Sequence, residues 1–258
     1  MDRRDFLRAV VFGAGGEALH SLGLLSGHDT ARRVWCPILM YHYIEEPPED
    51  ADRTRRDLTV SPLRFAEHLD QLLEEGFTTV SLRVLNSTLT ENAELPEKPV
   101  IITFDDGYVN AFDNAYPLLS ERGMTGTFFL ITGFVGSPGY LSWEQAVEMA
   151  AAGMEIGSHS VSHPDLTSLD DTTLRKELTD SMGAIEDRLG IHIAELCYPL
   201  GRTSRRVQSA AATAGYTSAV TTRDGTVHAA DRLLRLSRAR VRGSYSAHSV
   251  SWLVNRQI

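Results

Sequence analysis

Two adjacent carboxylates, Asp105 and Asp106, directly follow an apolar run in this sequence. The run from Val100 to Phe104 is mostly β-branched or aromatic and lacks polar alternation, which is typical of a strand buried on both faces of a parallel sheet. The carboxylates therefore fall at the C-terminal end of a strand, where α/β proteins bind ligands and hold catalytic residues. Asp-Asp-Gly is also common turn chemistry, so a plain turn is the alternative for this motif alone.

Three histidines are predicted to lie at strand ends, like the two aspartates. His159 and His163 are four residues apart, and the glycine and proline on either side favour a turn over a helix. Both follow a short apolar segment, so they too should lie just past a strand end. Another apolar run, 37–41, ends at His42. A solvated helix face is the alternative for an isolated His-x-x-x-His, and the additional strand ends argue against it here.

These residue types suit a catalytic divalent metal. Two imidazoles and one carboxylate leave coordination positions open for water, as in catalytic zinc sites. A metal needs one carboxylate as a ligand, while a water acidified by the metal still benefits from a second carboxylate as base. Adjacent side chains project in different directions, so one aspartate can bind the metal while the other faces the water.

Buried strands alternate with helices along the rest of the chain. We predict strands at 37–41, 77–82, 99–104, 126–132, 154–157, 194–199, 216–221 and 236–241, and helices at 61–75, 108–122, 142–152, 169–189 and 204–214. Helix starts are marked by Ser-Pro at 61–62 and by a capping box at 142–145, and glycines mark the helix ends. This rhythm predicts one α/β domain built as a complete or incomplete βα barrel.

The composition is that of a globular protein, with 42% hydrophobic and 23% charged residues. The net charge of -9 argues against nucleic acid or an anionic membrane as partner, because no excess of basic residues exists to neutralise phosphates. Cys36 and Cys197 lie beside strand-like runs at positions that correspond to opposite ends of a parallel sheet. We therefore predict two buried free thiols and no disulfide.

The N-terminus has features of an export signal. Arg3 and Arg4 precede Phe-Leu and a Gly/Ala-rich segment, which resembles a twin-arginine leader. Polar residues interrupt the apolar region and no clear cleavage site follows, so a short amphipathic leader is the alternative. No other stretch approaches the roughly 20 apolar residues of a membrane span. We expect 1–30 to be the leader, 31–258 to be the catalytic domain, and the protein to be extracytoplasmic, either secreted or associated with the cell envelope.

Three motifs, in this order along the chain, resemble those of the polysaccharide deacetylases, which form carbohydrate esterase family 4 and are also called the NodB-homology domain. They are TFDDG at 103–107, HSVSH at 159–163 and YPLG at 198–201. MYH at 40–42, LSW at 141–143 and LSRARV at 236–241 are similar to the branch that includes the biofilm poly-N-acetylglucosamine deacetylases. The likeness extends from about residue 37 to about residue 242.

The resemblance implies a distorted (β/α)7 TIM-like barrel in a single domain. It implies a divalent metal held by Asp106, His159 and His163, with zinc expected and cobalt or nickel as options. Asp105 would be the base that activates the attacking water. In the poly-N-acetylglucosamine branch a histidine near the N-terminus protonates the departing amine, and His42 matches that histidine.

The resemblance also implies residues that contact the oxyanion or the substrate. The backbone N–H of Tyr198, next to Pro199, would help to hold the oxyanion of the tetrahedral intermediate. A plain core aromatic is the alternative for Tyr198. Many family members carry an arginine two residues before the motif proline, where this chain has Cys197. We expect Arg238 to replace that arginine by pairing with Asp105, and we group it with the oxyanion and substrate residues.

The sequence thus predicts a metal-dependent hydrolase that removes N-acetyl groups from an extracellular polysaccharide resembling poly-N-acetylglucosamine, chitin or peptidoglycan. One alternative is a saccharide-binding protein that kept the barrel and lost turnover, which the presence of Asp105 and His42 opposes. A second is an iron oxygenase, which shares the ligand types but does not need paired aspartates. No sequence feature fixes the oligomeric state, and a monomer is the expectation.

Overall fold

Seven parallel strands follow one another around a curled sheet in the computed structural model, which describes residues 32–258. They are β1 (Ile38–Tyr41), β2 (Pro99–Phe104), β3 (Thr127–Leu130), β4 (Glu155–Ser158), β5 (Glu195–Cys197), β6 (Ser218–Val220) and β7 (Ala239–Arg240). β7 pairs with β1, and a parallel bridge between Val220 and Leu236 joins the segment before β7 to β6. The predicted distorted barrel is confirmed. The predicted leader, 1–30, lies outside the described residues.

Helices cover the outside of the sheet. They are α1 (Arg53–Leu58), α2 (Pro62–Glu74), α3 (Leu82–Glu91), α4 (Tyr116–Glu121), α5 (Trp143–Ala151), α6 (Asp171–Leu189), α7 (Arg205–Ala214) and α8 (Ala247–Asn255). Ser61 caps α2 with proline in its first turn, and Ser142 and Gln145 form the predicted capping box of α5. A π-helical turn, Ala111–Ala115, leads directly into α4.

Short elements complete the structure. Arg33–Trp35 pairs antiparallel with Val227–Ala229, Tyr43–Ile44 pairs with Thr59–Val60, and Thr78–Thr79 pairs with β2. Single turns of 3-10 helix are found at Leu166–Ser168 and Pro199–Gly201, and a longer 3-10 segment spans Ala230–Arg235.

Alternate residues of the barrel strands belong to two separate hydrophobic clusters. Leu39 of β1 and Ile102 of β2 pack in the larger cluster, which includes the apolar faces of the outer helices. Ile38 and Ile101, their neighbours in sequence, pack in the smaller cluster together with α3. Because successive side chains of a strand point to opposite faces, strands without polar alternation are the ones that can fill both clusters.

Two predicted strands are shorter than expected. The strand predicted at 77–82 is reduced to Thr78–Thr79, because the Ser81 side chain caps α3, which begins at Leu82. The strand predicted at 236–241 is reduced to Ala239–Arg240. The backbone of Leu236 hydrogen-bonds to β6 and the residue after it, whereas Ala239 and Arg240 of β7 pair with β1. The segment therefore contacts β6 first and β1 afterwards, and only the second part forms a regular strand.

Cys36 and Cys197 are buried free thiols, as predicted. Cys36 precedes β1 and Cys197 is the last residue of β5, so the two lie at opposite ends of the parallel sheet. Within residues 32–258, no helix combines the length and the apolar character that crossing a membrane requires.

Candidate metal and catalytic site

The carboxyl ends of the barrel strands bring the predicted residues to one pole. His42 directly follows β1, Asp105 and Asp106 follow β2, and His159 follows β4. Because the strands are parallel, all of these ends point the same way, and the turn after His159 then returns His163 to the same place.

Asp106, His159 and His163 each offer one ligand atom within 4.8 Å of the others. Oδ1 of Asp106 lies 3.3 Å from Nε2 of His159 and 3.6 Å from Nε2 of His163. Nδ1 of His159 is 2.7 Å from the carbonyl oxygen of Cys197. A carbonyl only accepts, so Nδ1 carries the proton and the lone pair of Nε2 is free to bind a cation. One carboxylate oxygen and two imidazole nitrogens fit a zinc-like divalent ion with positions to spare.

The backbone of this pole is held in unusual conformations. Five non-glycine residues among those described have positive φ, and four of them belong to or adjoin the site: Asp106, Ser160, His163 and Leu200. A left-handed residue other than glycine costs on the order of 1–3 kcal/mol and persists only where the surroundings enforce it. The strain therefore marks the turns that aim Asp106 and the histidines.

Glu177 of α6 fixes the turn between the two histidines. Its Oε2 accepts hydrogen bonds from the backbone N–H groups of Val161 and Ser162, both at 2.9 Å, and its Oε1 accepts from Oγ of Ser162 at 2.6 Å. These bonds hold the strained turn that His163 needs. Glu177 was not predicted, because no local sequence pattern distinguishes it from the other acids of a helix.

Arg238 and Asp105 form a two-pronged ion pair. Nη1 of Arg238 lies 2.7 Å from Oδ1 of Asp105, and Nη2 lies 2.7 Å from Oδ2. Nε donates to the carbonyl oxygen of Thr221 at 2.9 Å, and further contacts reach Thr103 and Cys197. Burial would raise the pKa of Asp105, but the charge and hydrogen bonds of Arg238 hold that pKa well below its usual value.

The pairing of Arg238 with Asp105 is the one the sequence suggested, but its assignment to the substrate residues is wrong. The Arg238 side chain has no exposed surface, and its donors are occupied within the barrel. Arg238 therefore positions Asp105 and does not face the substrate.

His42 lies on the other side of Asp105. Its Nε2 is 3.9 Å from Oδ2 of Asp105, and 14% of its side chain is exposed. Burial lowers the pKa of His42, against the opposing effect of the two aspartates. The imidazole is therefore neutral at pH 7 in the structure as it stands.

The backbone amide of Tyr198 is not free, which corrects the prediction made from the resemblance. It donates to the carbonyl oxygen of Val220 at 3.2 Å, as part of the barrel sheet, and the phenol donates to the carbonyl of Leu234. Pro199 is buried and has no N–H. The next amide, that of Leu200, has no acceptor among the described residues and lies in a turn with φ of 59°.

A half-buried aromatic cluster adjoins the site. Tyr43 and Tyr108 stack at 3.9 Å, and Tyr140 and Phe134 extend the cluster with centroid distances of 5.3 and 5.1 Å. Tyr43 directly follows His42, and Tyr108 is two residues after Asp106. The aromatic residues next to His42 and Asp106 in sequence are the local signal from which this cluster could be predicted.

The site has a buried carboxylate paired with an arginine, a neighbouring imidazole and three side chains that could hold a cation, all at one pole of a βα barrel. This arrangement is compatible with metal-assisted hydrolysis.

The family model described as polysaccharide deacetylase matches residues 92–219. YxkH of Bacillus subtilis (strain 168), whose name places it among the polysaccharide deacetylases, is 33% identical over 212 residues, which cover 82% of this chain and 73% of that protein. The structure of the Streptococcus pyogenes deacetylase PplD in complex with acetate has a TM-score of 0.81 and 30% identity, covering 87% of this chain and 100% of that one.

The poly-beta-1,6-N-acetyl-D-glucosamine N-deacetylase of Escherichia coli (strain K12) is 26% identical over 138 residues, or 47% of this chain and 20% of that protein. The chain belongs to the polysaccharide deacetylase family. The predicted family and its enzyme class, hydrolases of non-peptide carbon–nitrogen bonds, are confirmed.

Proposed function

We propose that this protein is a metal-dependent N-deacetylase that releases acetate from N-acetylated amino-sugar units of an extracellular polysaccharide. Family membership supports deacetylation. The observation that carries the finer proposal is the convergence of an arginine-held carboxylate, Asp105, and an imidazole, His42, beside the cation site of Asp106, His159 and His163.

Asp106, His159 and His163 would hold the cation. Zinc is the first choice for one oxygen and two imidazole ligands, and cobalt and nickel accept the same set. When bound, such a cation acts as a Lewis acid that polarises the acetamide carbonyl and acidifies water.

Asp105 is the proposed base. Arg238 keeps its carboxylate ionised, and each carboxylate oxygen retains a lone pair beyond the one used by the guanidinium. The carboxylate can therefore take a proton from the attacking water. His42 is the proposed proton carrier to the amine: its Nε2 lies 3.9 Å from Oδ2 of Asp105, and its lowered pKa leaves the imidazole free to accept a proton. Once protonated, it is the acid. The proton can pass from Asp105 to Nε2 and from there to the departing amine.

The Leu200 amide is our candidate for a backbone donor to the oxyanion, in place of that of Tyr198. It directly follows the motif proline and is the nearest amide after it without an acceptor in the described part of the chain. In the aromatic cluster, Tyr140 and Phe134 have rings of the kind that pack against sugars, whereas the ring of Tyr43 is covered by Tyr108 and by the guanidinium of Arg55.

Acetate release tests the proposal. The purified protein is incubated with oligomers derived from chitin, peptidoglycan and β-1,6-linked N-acetylglucosamine, in the presence of zinc, cobalt or nickel. We expect acetate from at least one polymer, a loss of about 100-fold to 10,000-fold in Asp105→Asn with metal content unchanged, and loss of bound metal in Asp106→Asn. Binding of the oligomers without acetate release under any of the metals would instead identify a saccharide-binding protein.

We propose in addition that residues 1–30 direct export through the twin-arginine route, which the paired Arg3 and Arg4 support. Residues 1–30 fused to a reporter should carry it out of the cytoplasm, and Arg3→Lys/Arg4→Lys should prevent this. Export of the double variant at the normal level would refute the route.

A further inference from the structure

A cavity of about 360 Å³ opens beside the carboxyl ends of β5 and β6, and none of the catalytic or metal-site candidates lines it. Three arginines, Arg202, Arg223 and Arg235, contribute to its wall together with threonine hydroxyls. No aspartate or glutamate is among the residues that line it. The cavity is thus a concave surface with positive charge on its wall.

Two of these arginines lack a counter-charge. Arg202 pairs with Asp165, with Nη1 2.7 Å from Oδ2. Across residues 32–258, no carboxylate lies within 4.0 Å of the guanidinium of Arg223 or Arg235, although the nearby Asp224 and Asp231 pair with other arginines. A second cavity of about 150 Å³ shares both arginines, adds Arg232, and again has no acidic residue in its wall.

This local charge contrasts with that of the whole protein. The net charge is -9, so an anionic polymer is repelled by the chain as a whole. Salt screens that long-range repulsion beyond about 10 Å, whereas guanidinium groups in direct contact with an anion act at short range. The planar fork of arginine also matches carboxylate and phosphate oxygens in pairs, which gives a specific contact.

The cavity wall is linked to the candidate site by one hydrogen bond to Arg238 and by one ion pair to a residue near His163 in sequence. Thr221 lines the cavity, and its carbonyl accepts a hydrogen bond at 2.9 Å from Nε of Arg238, the residue that holds Asp105. Asp165, which pairs with Arg202, is two residues after His163. The cavity therefore lies at the same pole of the barrel as Asp105, where units of a polymer that neighbour the deacetylated one would extend.

We propose that this cavity binds an anionic substituent, a carboxylate or a phosphate, on a unit that neighbours the one deacetylated. The inference rests on the proposed function and names its substrate class: acidic N-acetylated polysaccharides in preference to neutral homopolymers. Both anions present the same paired oxygens to Arg223 and Arg235, so the experiment contains an arm for each.

The test compares three oligomers of equal length: neutral N-acetylglucosamine tetramer, the same tetramer carrying a 6-phosphate, and an oligomer that alternates N-acetylglucosamine with N-acetylmuramic acid, which supplies the carboxylate. For the wild type at about 0.1 M salt, where the repulsion by the net charge is screened, we expect a KM at least about tenfold lower for one of the acidic oligomers than for the neutral one. Arg223→Gln/Arg235→Gln should remove this preference and change KM more than kcat.

Arg175→Gln/Lys176→Gln is the matched control. Like the test variant, it removes two positive charges. Both residues are exposed on α6, and neither lines the cavity. The control should keep the wild-type preference. Equal KM values for all three oligomers in the wild type, or an unchanged preference in Arg223→Gln/Arg235→Gln, would overturn the inference.

Direct titration with inorganic phosphate separates this inference from the proposed function. At low ionic strength and equal metal content, we expect Arg223→Gln/Arg235→Gln to weaken phosphate binding at least about tenfold and the control to leave it unchanged. Arginine-dependent phosphate binding without any acetate release would refute the deacetylase proposal and keep the anion site. Acetate release with equal phosphate binding in all three proteins would keep the deacetylase proposal and refute the anion site.

Discussion

Buried carboxylates lie at both poles of the barrel, in opposite electrostatic surroundings. At the carboxyl pole, Asp105 shares a two-pronged ion pair with the buried Arg238, and its pKa is held low. At the amino pole, Glu155 begins β4 and Glu195 begins β5. Burial and the charge of Glu155 raise the pKa of Glu195 to about 7, and the cation nearest to it, Arg83, is exposed.

The acids at the amino pole have structural partners. Glu155 accepts hydrogen bonds from the backbone N–H groups of Leu82 and Arg83 at 2.9 and 3.1 Å and from Oγ1 of Thr127 at 2.7 Å. It therefore satisfies the first amides of α3 from outside the helix. Among residues 32–258, the buried arginine is Arg238 at the carboxyl pole, where it keeps Asp105 ionised beside the candidate cation site.

Reversing the charge at Arg238 should have the largest effect, because it removes the cation that distinguishes the carboxyl pole from the amino pole. Arg238→Glu leaves Asp105 buried without a cation and next to a like charge, so we expect a loss of about 3–5 kcal/mol in unfolding free energy and loss of acetate release. Denaturant unfolding and acetate assays check this. Arg238→Lys, which keeps the charge but not the two-pronged geometry, should lose less of both, and full activity in Arg238→Glu would refute the positioning role.

The pH dependence of stability distinguishes the amino pole. The pKa of Glu195, about 7 in the folded state, lies above its ordinary value of 4.5, so between these values the folded protein binds a proton that the unfolded chain releases. The contribution of Glu195 is therefore complete below pH 4.5 and is lost as pH rises through 7. It amounts to at most about 3–4 kcal/mol, since one pKa unit is worth about 1.4 kcal/mol.

Glu195→Gln should flatten the stability curve between pH 4.5 and 7 and make the protein more stable than the wild type at pH 8. Denaturant midpoints measured across that range provide the check. Parallel curves for the two proteins would mean that the pKa of Glu195 is not raised by folding. The buried acids of the two poles would then not differ in this respect.

Glu177 refines the comparison of the two poles. Like Glu155 at the amino pole, it accepts hydrogen bonds from backbone N–H groups, but it lies at the carboxyl pole. Glu177→Ala releases the turn that carries His163, so we expect metal affinity to fall about 10-fold to 100-fold with a small change in stability. Competition with a chelator measures the affinity. Glu177→Gln, which can still accept through its amide oxygen, should recover part of it, and unchanged affinity in Glu177→Ala would contradict the role.

The smallest expected effects come from two threonines that face each other in neighbouring strands. Thr103 and Thr127 are paired in register, yet Thr103 contacts Arg238 and Thr127 donates to Glu155. Each Thr→Val change should cost about 1.5 kcal/mol of stability, the value of a hydrogen bond to a charged group. Only Thr103→Val should also lower kcat. Equal effects of both variants on kcat would show that the two acid sites are not functionally separate.

The sequence by itself determined the βα class of the fold, the positions of most barrel strands and the pole at which the candidate site residues lie. Apolar runs without alternation mark strands buried on both faces, and the residue that follows each run must lie at the carboxyl pole whatever the loops do. That rule places Asp105, Asp106 and His159 at one pole, whereas the choice of Asp106, His159 and His163 as the ligands came from the resemblance to the family. The helix starts at Ser61 and Ser142 could also be predicted from the sequence, because an N-cap depends only on residues within one helical turn.

Only the tertiary structure decided which groups the site residues contact. Arg238 and Asp105 are 133 residues apart, and their ion pair exists because the segment before β7 closes the barrel. The amide of Tyr198 is taken by Val220 of the neighbouring strand, and Glu177 reaches its turn only through the packing of α6. Hydrogen bonds and ion pairs between distant segments depend on register and closure, which no local pattern of residues specifies.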